Sequence, residues 1–167
     1  MRPSELKQFE RSVCACDKCK AGCKHMPGSL APGDMDTIAK FVGADPDNAE
    51  FIRQNFRASD GTVVIIEGKP KMVPTIVPAQ QEDGRCVFLT DDDQCAIHPV
   101  APFGCRNFEI CGVDTEEDEY KSRCQISCIL QSHNYLWTWA YLHTTGHIAP
   151  PARKRRAALN AELEQLG

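Results

Sequence analysis

Apolar residues at Met35, Ile38, Ala39 and Val42 recur at helical spacing behind Gly33 and Asp34, either of which can cap the element, and Gly43 stops it. A second helix starts at ADPDNAEF, with Asp45 as its cap and Pro46 at the first helical position, where the missing N–H costs nothing. Its inward side is Ala49, Ile52 and Phe56. Before these, a short helix over residues 3–12 leads into a cysteine cluster at 14–23. HMPGSLAPGD is then a loop, because Pro27, Gly28, Pro32 and Gly33 each interrupt regular structure.

The period then changes. TVVIIEGKPKMVPTIV reads as two β-rich runs around a Gly-Lys-Pro-Lys turn, a hairpin whose second run Pro74 and Pro78 restrict to a sheet edge. CVFLTDDDQCAIH repeats the pattern around an acidic turn and predicts a second hairpin. From Glu116 the spacing is helical again. QISCILQSHNYLWTWAYL predicts one long, mostly buried helix ending near Gly146, with Tyr135, Trp137, Trp139 and Tyr141 as core residues. Pro150 and Pro151 open a last helix, ARKRRAALNAELEQL, so the C-terminal helices occupy 116–166. The expected fold is a small single α+β domain over 1–167, with helices and two short β-hairpins around a cysteine-ligated metal centre.

Composition supports one folded domain and narrows its chemistry. The 167 residues can bury a real core. A net charge of −4 argues against nucleic acid as a partner, since phosphate favours a basic surface. The apolar runs are too short to span a membrane, and the charged opening MRPSELKQFERSVC lacks the apolar segment of a secretory signal. The expected location is therefore the cytoplasm. There thiols stay reduced, and the ten cysteines read as metal ligands or redox groups rather than as a disulfide framework.

Thiolate is the ligating form, and a metal holds several thiolates together by neutralising charges that would otherwise repel. Cys16 and Cys19 are separated by two residues, which lets both sulfurs face one ion, and Cys23 follows after three more. Cys86 and Cys95 flank the acidic turn, and Cys105 follows PFG, a bend that aims a side chain inward. Cys124 and Cys128 stand i,i+4 on one helical face. Two chemistries fit: an iron–sulfur cluster held by four thiolates, with 4Fe-4S the favoured form, or closed tetrahedral sites for zinc or iron ions. Spacing does not choose between them.

The combined pattern resembles the YkgJ-like cysteine-cluster family, a zinc- or iron-chelating domain with a CxxCxxCC motif near its start. RCVFLTDDDQCAIHPVAPFGCRNF carries the specific part through Cys86, Leu89, Cys95, Ile97, Pro102, Cys105, Arg106 and Phe108, and KSRC supplies a late cysteine at Cys124. The resemblance covers residues 14–128. Cys16, Cys19 and Cys23 take three of the four leading positions and Gly22 stands at the third, while His98 and Ala101 replace a usual Tyr and Arg. Cys111 and Cys128 are surplus to the pattern.

The resemblance implies metal chelation. It also implies that cluster chemistry is possible on this scaffold, because flagellin lysine methylases carry a related cysteine pattern. The expected ligands are Cys16, Cys19, Cys23, Cys86, Cys95, Cys105 and Cys124. Cys14, Cys111, Cys128 and His98 form a reserve. Cys128 reads first as a small core residue, and His98, like His25, reads first as a hydrogen-bonded structural histidine. Arg106 follows its cysteine in the family pattern and is expected to donate hydrogen bonds around the thiolate site. TDDDQ reads as a solvated turn, and ARKRR as a solvated helix face. Three functions remain open: an iron–sulfur or iron/zinc-chelating protein, a zinc-stapled module that binds another protein, and a component of a cluster-dependent redox or methyl-transfer enzyme.

Overall fold

The computed structural model describes residues 2–12 and 14–167. A 3-10 helix, Pro3–Gln8, precedes α1 (Asp17–His25), α2 (Asp34–Val42) and α3 (Ala49–Asn55). An antiparallel pair follows, β1 (Phe56–Ile66) and β2 (Lys69–Pro78). Residues 79–102 are mostly irregular, and α4 (Phe103–Asn107), α5 (Glu116–Gln131), α6 (His133–Thr144) and α7 (Ala152–Gln165) complete the chain. The fold is α+β, with helices gathered around one hairpin.

Local chemistry accounts for most boundaries. Gly33 and Gly43 bracket α2 with φ of 92° and 78°, conformations that a residue without Cβ adopts freely. The α3 cap is Asn48, whose side chain accepts from the N–H groups of Glu50 and Phe51. Asp45 instead accepts from Asp47 N in a turn before the helix, so α3 starts three residues after Pro46. The long C-terminal helix expected from its apolar content is two helices. Ser132 ends α5 and caps α6 by accepting from Tyr135 N, and a side chain that competes for backbone bonds favours such a break.

The first hairpin turns at Glu67–Gly68, both with positive φ (52° and 74°), so the turn shares Gly68 with the expected Gly-Lys-Pro-Lys stretch and starts one residue earlier. Such a two-residue turn matches the twist of the paired strands. A bulge between Ser59 and Thr62 divides the hairpin. Its inner half packs Phe56, Ala58, Val73, Ile76 and Val77 into the core, whereas Val63, Ile65 and Met72 beyond the bulge are exposed. The second expected hairpin, over 86–98, is reduced to the isolated bridge Leu89↔Cys95 around a tight turn at 90–94, and a separate bridge, Gln80↔Cys86, precedes it.

The main core joins Leu30, Ile38, Phe56, Ile76, Phe88, Ile129 and Leu142, with Trp139 packed against it and Trp137 standing in solvent. A smaller cluster holds Leu6, Ala31, Phe103, Cys124 and Cys128. Between the two runs the loop 26–33, fixed from several sides. Tyr135 Oη donates to Leu30 O (2.8 Å) and accepts from Ile76 N (2.7 Å), and Gln125 Nε2 reaches Ser29 Oγ (2.9 Å). Asp34 Oδ2 accepts from Ala31 N and Phe103 N, both at 2.8 Å. Arg155, in the stretch expected to be solvated, is buried and donates to Ser59 Oγ and Pro150 O, which anchors α7 on β1.

At the centre of this arrangement the loop crosses α4 backbone to backbone. A Cβ on Gly28 would lie 2.3 Å from Cys105 N, and one on Gly104 would lie 2.6 Å from Ser29 N. Backbone cannot yield as a flexible side chain can. Gly28→Ala and Gly104→Ala are therefore each expected to lower the unfolding free energy by about 1–3 kcal/mol in denaturant titrations. Gly112→Ala, whose nearest neighbour is 3.9 Å away, should change it by less than about 0.5 kcal/mol.

Candidate metal centre

Cys16 caps α1, and Cys19 and Cys23 follow inside it four residues apart, so one helix face carries two sulfurs in line. The N-terminal segment is tied to the chain after α4: Ser12 N donates to Arg106 O (2.7 Å) and Ser12 Oγ to Glu109 Oε1 (2.7 Å). Cys14 N then donates to Ser12 Oγ (3.3 Å). These bonds lay Cys14 against Cys111. The two sulfurs are 3.5 Å apart, and Cys19 Sγ donates to Cys111 Sγ at 3.6 Å. The four sulfurs of Cys14, Cys16, Cys19 and Cys111 all lie within 4.8 Å of one another, close enough to share an ion.

Deeper along the same helix face a second set assembles. Cys86 N donates to Cys23 O (2.9 Å), which fastens the end of α1 to the irregular segment. The Leu89↔Cys95 bridge returns the chain past Cys86, and the Gly28–Gly104 crossing brings in Cys105, whose Sγ accepts from Gly28 N at 3.2 Å. Cys23, Cys86, Cys95 and Cys105 line one cavity of about 370 Å³ with Cys14 and Cys19, walled by Met26, Phe88, Leu89 and Phe108. None of these eight thiols is disulfide-bonded.

The electrostatics of the two sets differ. Burial pushes all four inner thiols upward, Cys86 to about 12, and each is pushed further by the charge of others in the set, apart from Cys95. Backbone N–H groups oppose this: Phe88 and Leu89 donate to Cys86, Ile97 to Cys95 and Gly28 to Cys105. Arg11, whose guanidinium donates to His98 O, favours the Cys95 thiolate. In the outer set Cys16 is lowered to about 7, first by the Cys19 N–H and then by the Cys14 thiol. Cys111 is pushed up to about 12 by its hydrogen bonds with Cys14, Cys19 and Cys16. Cys16 thus ionises readily, whereas Cys19, by burial, and Cys111 resist ionisation.

Seven residues carried the ligand expectation, and six of them line the cavity or stand in the outer set. Cys124 does neither. It is buried beside Leu6 and Phe103 and contacts Tyr120, because its face of α5 packs under the N-terminal 3-10 helix. Cys128 lies one turn on in the same cluster. Arg106 bonds to Asp34 Oδ1 (3.1 Å) and Ala101 O, and its guanidinium lies over the Phe103 ring. It orders the α4 bend by holding a carboxylate that burial pushes upward, and among the described residues its guanidinium makes none of the expected bonds to sulfur. His98 lines the cavity. The His25 ring stands 3.4 Å from the Glu162 carboxylate, in a surface network that joins α1 to α7. Cys14 and Cys111 were only reserve candidates, since their partnership depends on a contact 97 residues long. The sequence signal was the density of thiols over 14–23.

A family model described as "CxxCxxCC: Putative zinc- or iron-chelating domain" matches residues 15–129. No curated protein and no solved structure matches the chain. Among the described residues no helix is long and apolar enough to cross a membrane.

The difference between Cys16 and Cys86 is measurable in reduced, metal-free protein. A thiol lowered to about 7 ionises as pH rises through that value. Alkylation of Cys16 mapped by mass spectrometry should therefore accelerate about tenfold between pH 6 and 8. Cys86 should stay slow throughout.

Proposed function

Because the chain belongs to the CxxCxxCC zinc- or iron-chelating family, we propose that its metal-binding function centres on the inner set, Cys23, Cys86, Cys95 and Cys105, holding an iron–sulfur cluster. The convergence of these four thiols from α1, the irregular segment and α4 on one cavity carries this reading. Cys95 raises Cys23, Cys23 and Cys95 raise Cys86, and Cys23, Cys86 and Cys95 together raise Cys105, so the charges of the four are linked. Yet among the described residues only the outer sulfurs are all mutually within 4.8 Å. Four thiols that share a space but stand apart suit an occupant with several metal atoms, and the cavity of about 370 Å³ leaves room for one.

Two further features support a cluster. Backbone N–H groups aimed at Cys86, Cys95 and Cys105 match the hydrogen bonds to sulfur that set cluster potentials. The apolar walls restrict water, a second determinant of potential. When bound, such a group supplies one-electron chemistry. The protein's own part is to hold four sulfurs at fixed separation, to stabilise their negative charge through N–H groups and Arg11, and to exclude solvent.

The zinc-stapled alternative draws on the irregular backbone of 79–102, which a closed four-thiolate ion would brace. The same preparation separates the readings. Protein purified without oxygen should be brown, with bound iron and acid-labile sulfide and an electron paramagnetic resonance signal on reduction. Colourless protein with stoichiometric zinc at these sulfurs would replace the cluster by the staple. Cys105→Ser should lose the colour and the iron, whereas Cys128→Ser, in the separate apolar cluster, should keep both. Equal losses in the two variants would overturn the ligand assignment.

A further inference from the structure

From the outer thiols we infer a second metal site, independent of the inner centre: Cys14, Cys16, Cys19 and Cys111 bind a single divalent ion, zinc or ferrous iron, in tetrahedral coordination. The inference depends on the chain being a metal chelator but not on what occupies the cavity.

Size decides the nuclearity. With metal–sulfur bonds of about 2.3 Å, a tetrahedron of sulfurs has edges of about 3.8 Å. Cys14–Cys111 and Cys19–Cys111 are already at 3.5 and 3.6 Å, and no pair in the set exceeds 4.8 Å. Shifts within an ångström would close all four sulfurs on one ion. A cluster, which places several irons between its thiolates, needs them farther apart. The ligand type selects the class of ion, since an all-thiolate tetrahedron suits zinc and iron and discriminates against magnesium and calcium.

The surroundings are built for this arrangement. Three separate segments contribute, the stretch before α1, α1 itself and the turn after α4, and the Ser12 bonds to Arg106 O and Glu109 hold the first against the third. Gly22, on α1, leaves the space that Ile110 fills: a Cβ there would stand 3.0 Å from Ile110 Cγ1. That packing positions the next residue, Cys111. Cys16 and Cys111 are exposed whereas Cys86 is buried, so the outer ion sits where solvent and competing ligands reach it. Cys14, Cys19 and Ile110 also line the cavity. The outer ion therefore joins the segments that border the open end of the inner site.

The test uses the full chain, reduced and stripped of metal without oxygen, then titrated with Co²⁺ as a probe and with Zn²⁺. The unmutated protein should develop the intense visible absorption of tetrathiolate cobalt, and Zn²⁺ should displace it. Cys14→Ser and Cys111→Ser should each bind one Co²⁺ fewer per chain in that titration, with circular dichroism unchanged, and as purified without oxygen, before stripping, both should keep the inner centre's colour. Cys105→Ser should do the reverse. In unmutated protein loaded with Zn²⁺, a chelator should remove the outer ion in a distinct fast phase, which tests the site without a substitution. Full metal content in both Cys14→Ser and Cys111→Ser would overturn the proposal. So would a Cys14–Cys111 disulfide that forms in place of ion binding under reducing conditions. Loss of the inner colour alone in Cys105→Ser leaves the outer site standing, so the two assignments fail separately.

Discussion

Sulfurs brought close together cannot all carry charge without a cation, and this constraint governs the molecule. Eight thiols lie along one face of α1 and the walls beside it, and burial or mutual hydrogen bonding pushes several of them well above their ordinary range. The metal-free protein must keep most of them protonated. Metal binding exchanges those protons for an ion, and the fold gains the attraction of each thiolate for the same centre.

The scaffold spends its most specific contacts on placing these groups. Loop 26–33 has no regular structure, yet Tyr135, Gln125 and Asp34 bind its backbone from three helices. That fixation lets two glycines cross at contact distance and brings Cys105 beside α1. Arg106 serves the same end from the other side by holding Asp34. The irregular segment 79–102 has little beyond isolated bridges and turn bonds to hold it, and it carries Cys86 and Cys95. An ion or cluster at those sulfurs would cross-link the part of the chain that secondary structure supports least.

The two thiol sets differ in burial. The outer one is compact and reachable; the inner one is spread around an apolar space with N–H groups directed at its sulfurs. Cys19 and Cys23 put both sets on a single helix face. The hairpin beyond its bulge and α7, by contrast, serve the frame: the first leaves Val63 and Ile65 in solvent, and the second packs on β1 through Arg155.

Helices and the first hairpin were legible in the residues because periodicity and glycine caps are local properties. The α2 boundaries follow from Gly33 and Gly43, and the CxxC step from Cys16 and Cys19. Local reading erred where a distant contact competed. Ser132 splits a continuous apolar helix, Arg106 takes Asp34 instead of a thiolate, and Cys124 turns toward Leu6. That many cysteines would seek a metal was written in their number and density. Which sulfurs stand close enough to share an ion was decided by tertiary structure, because sulfur partnership is set by distance in space, and Cys14 meets Cys111 only when hydrogen bonds fold the chain's start onto the turn after α4.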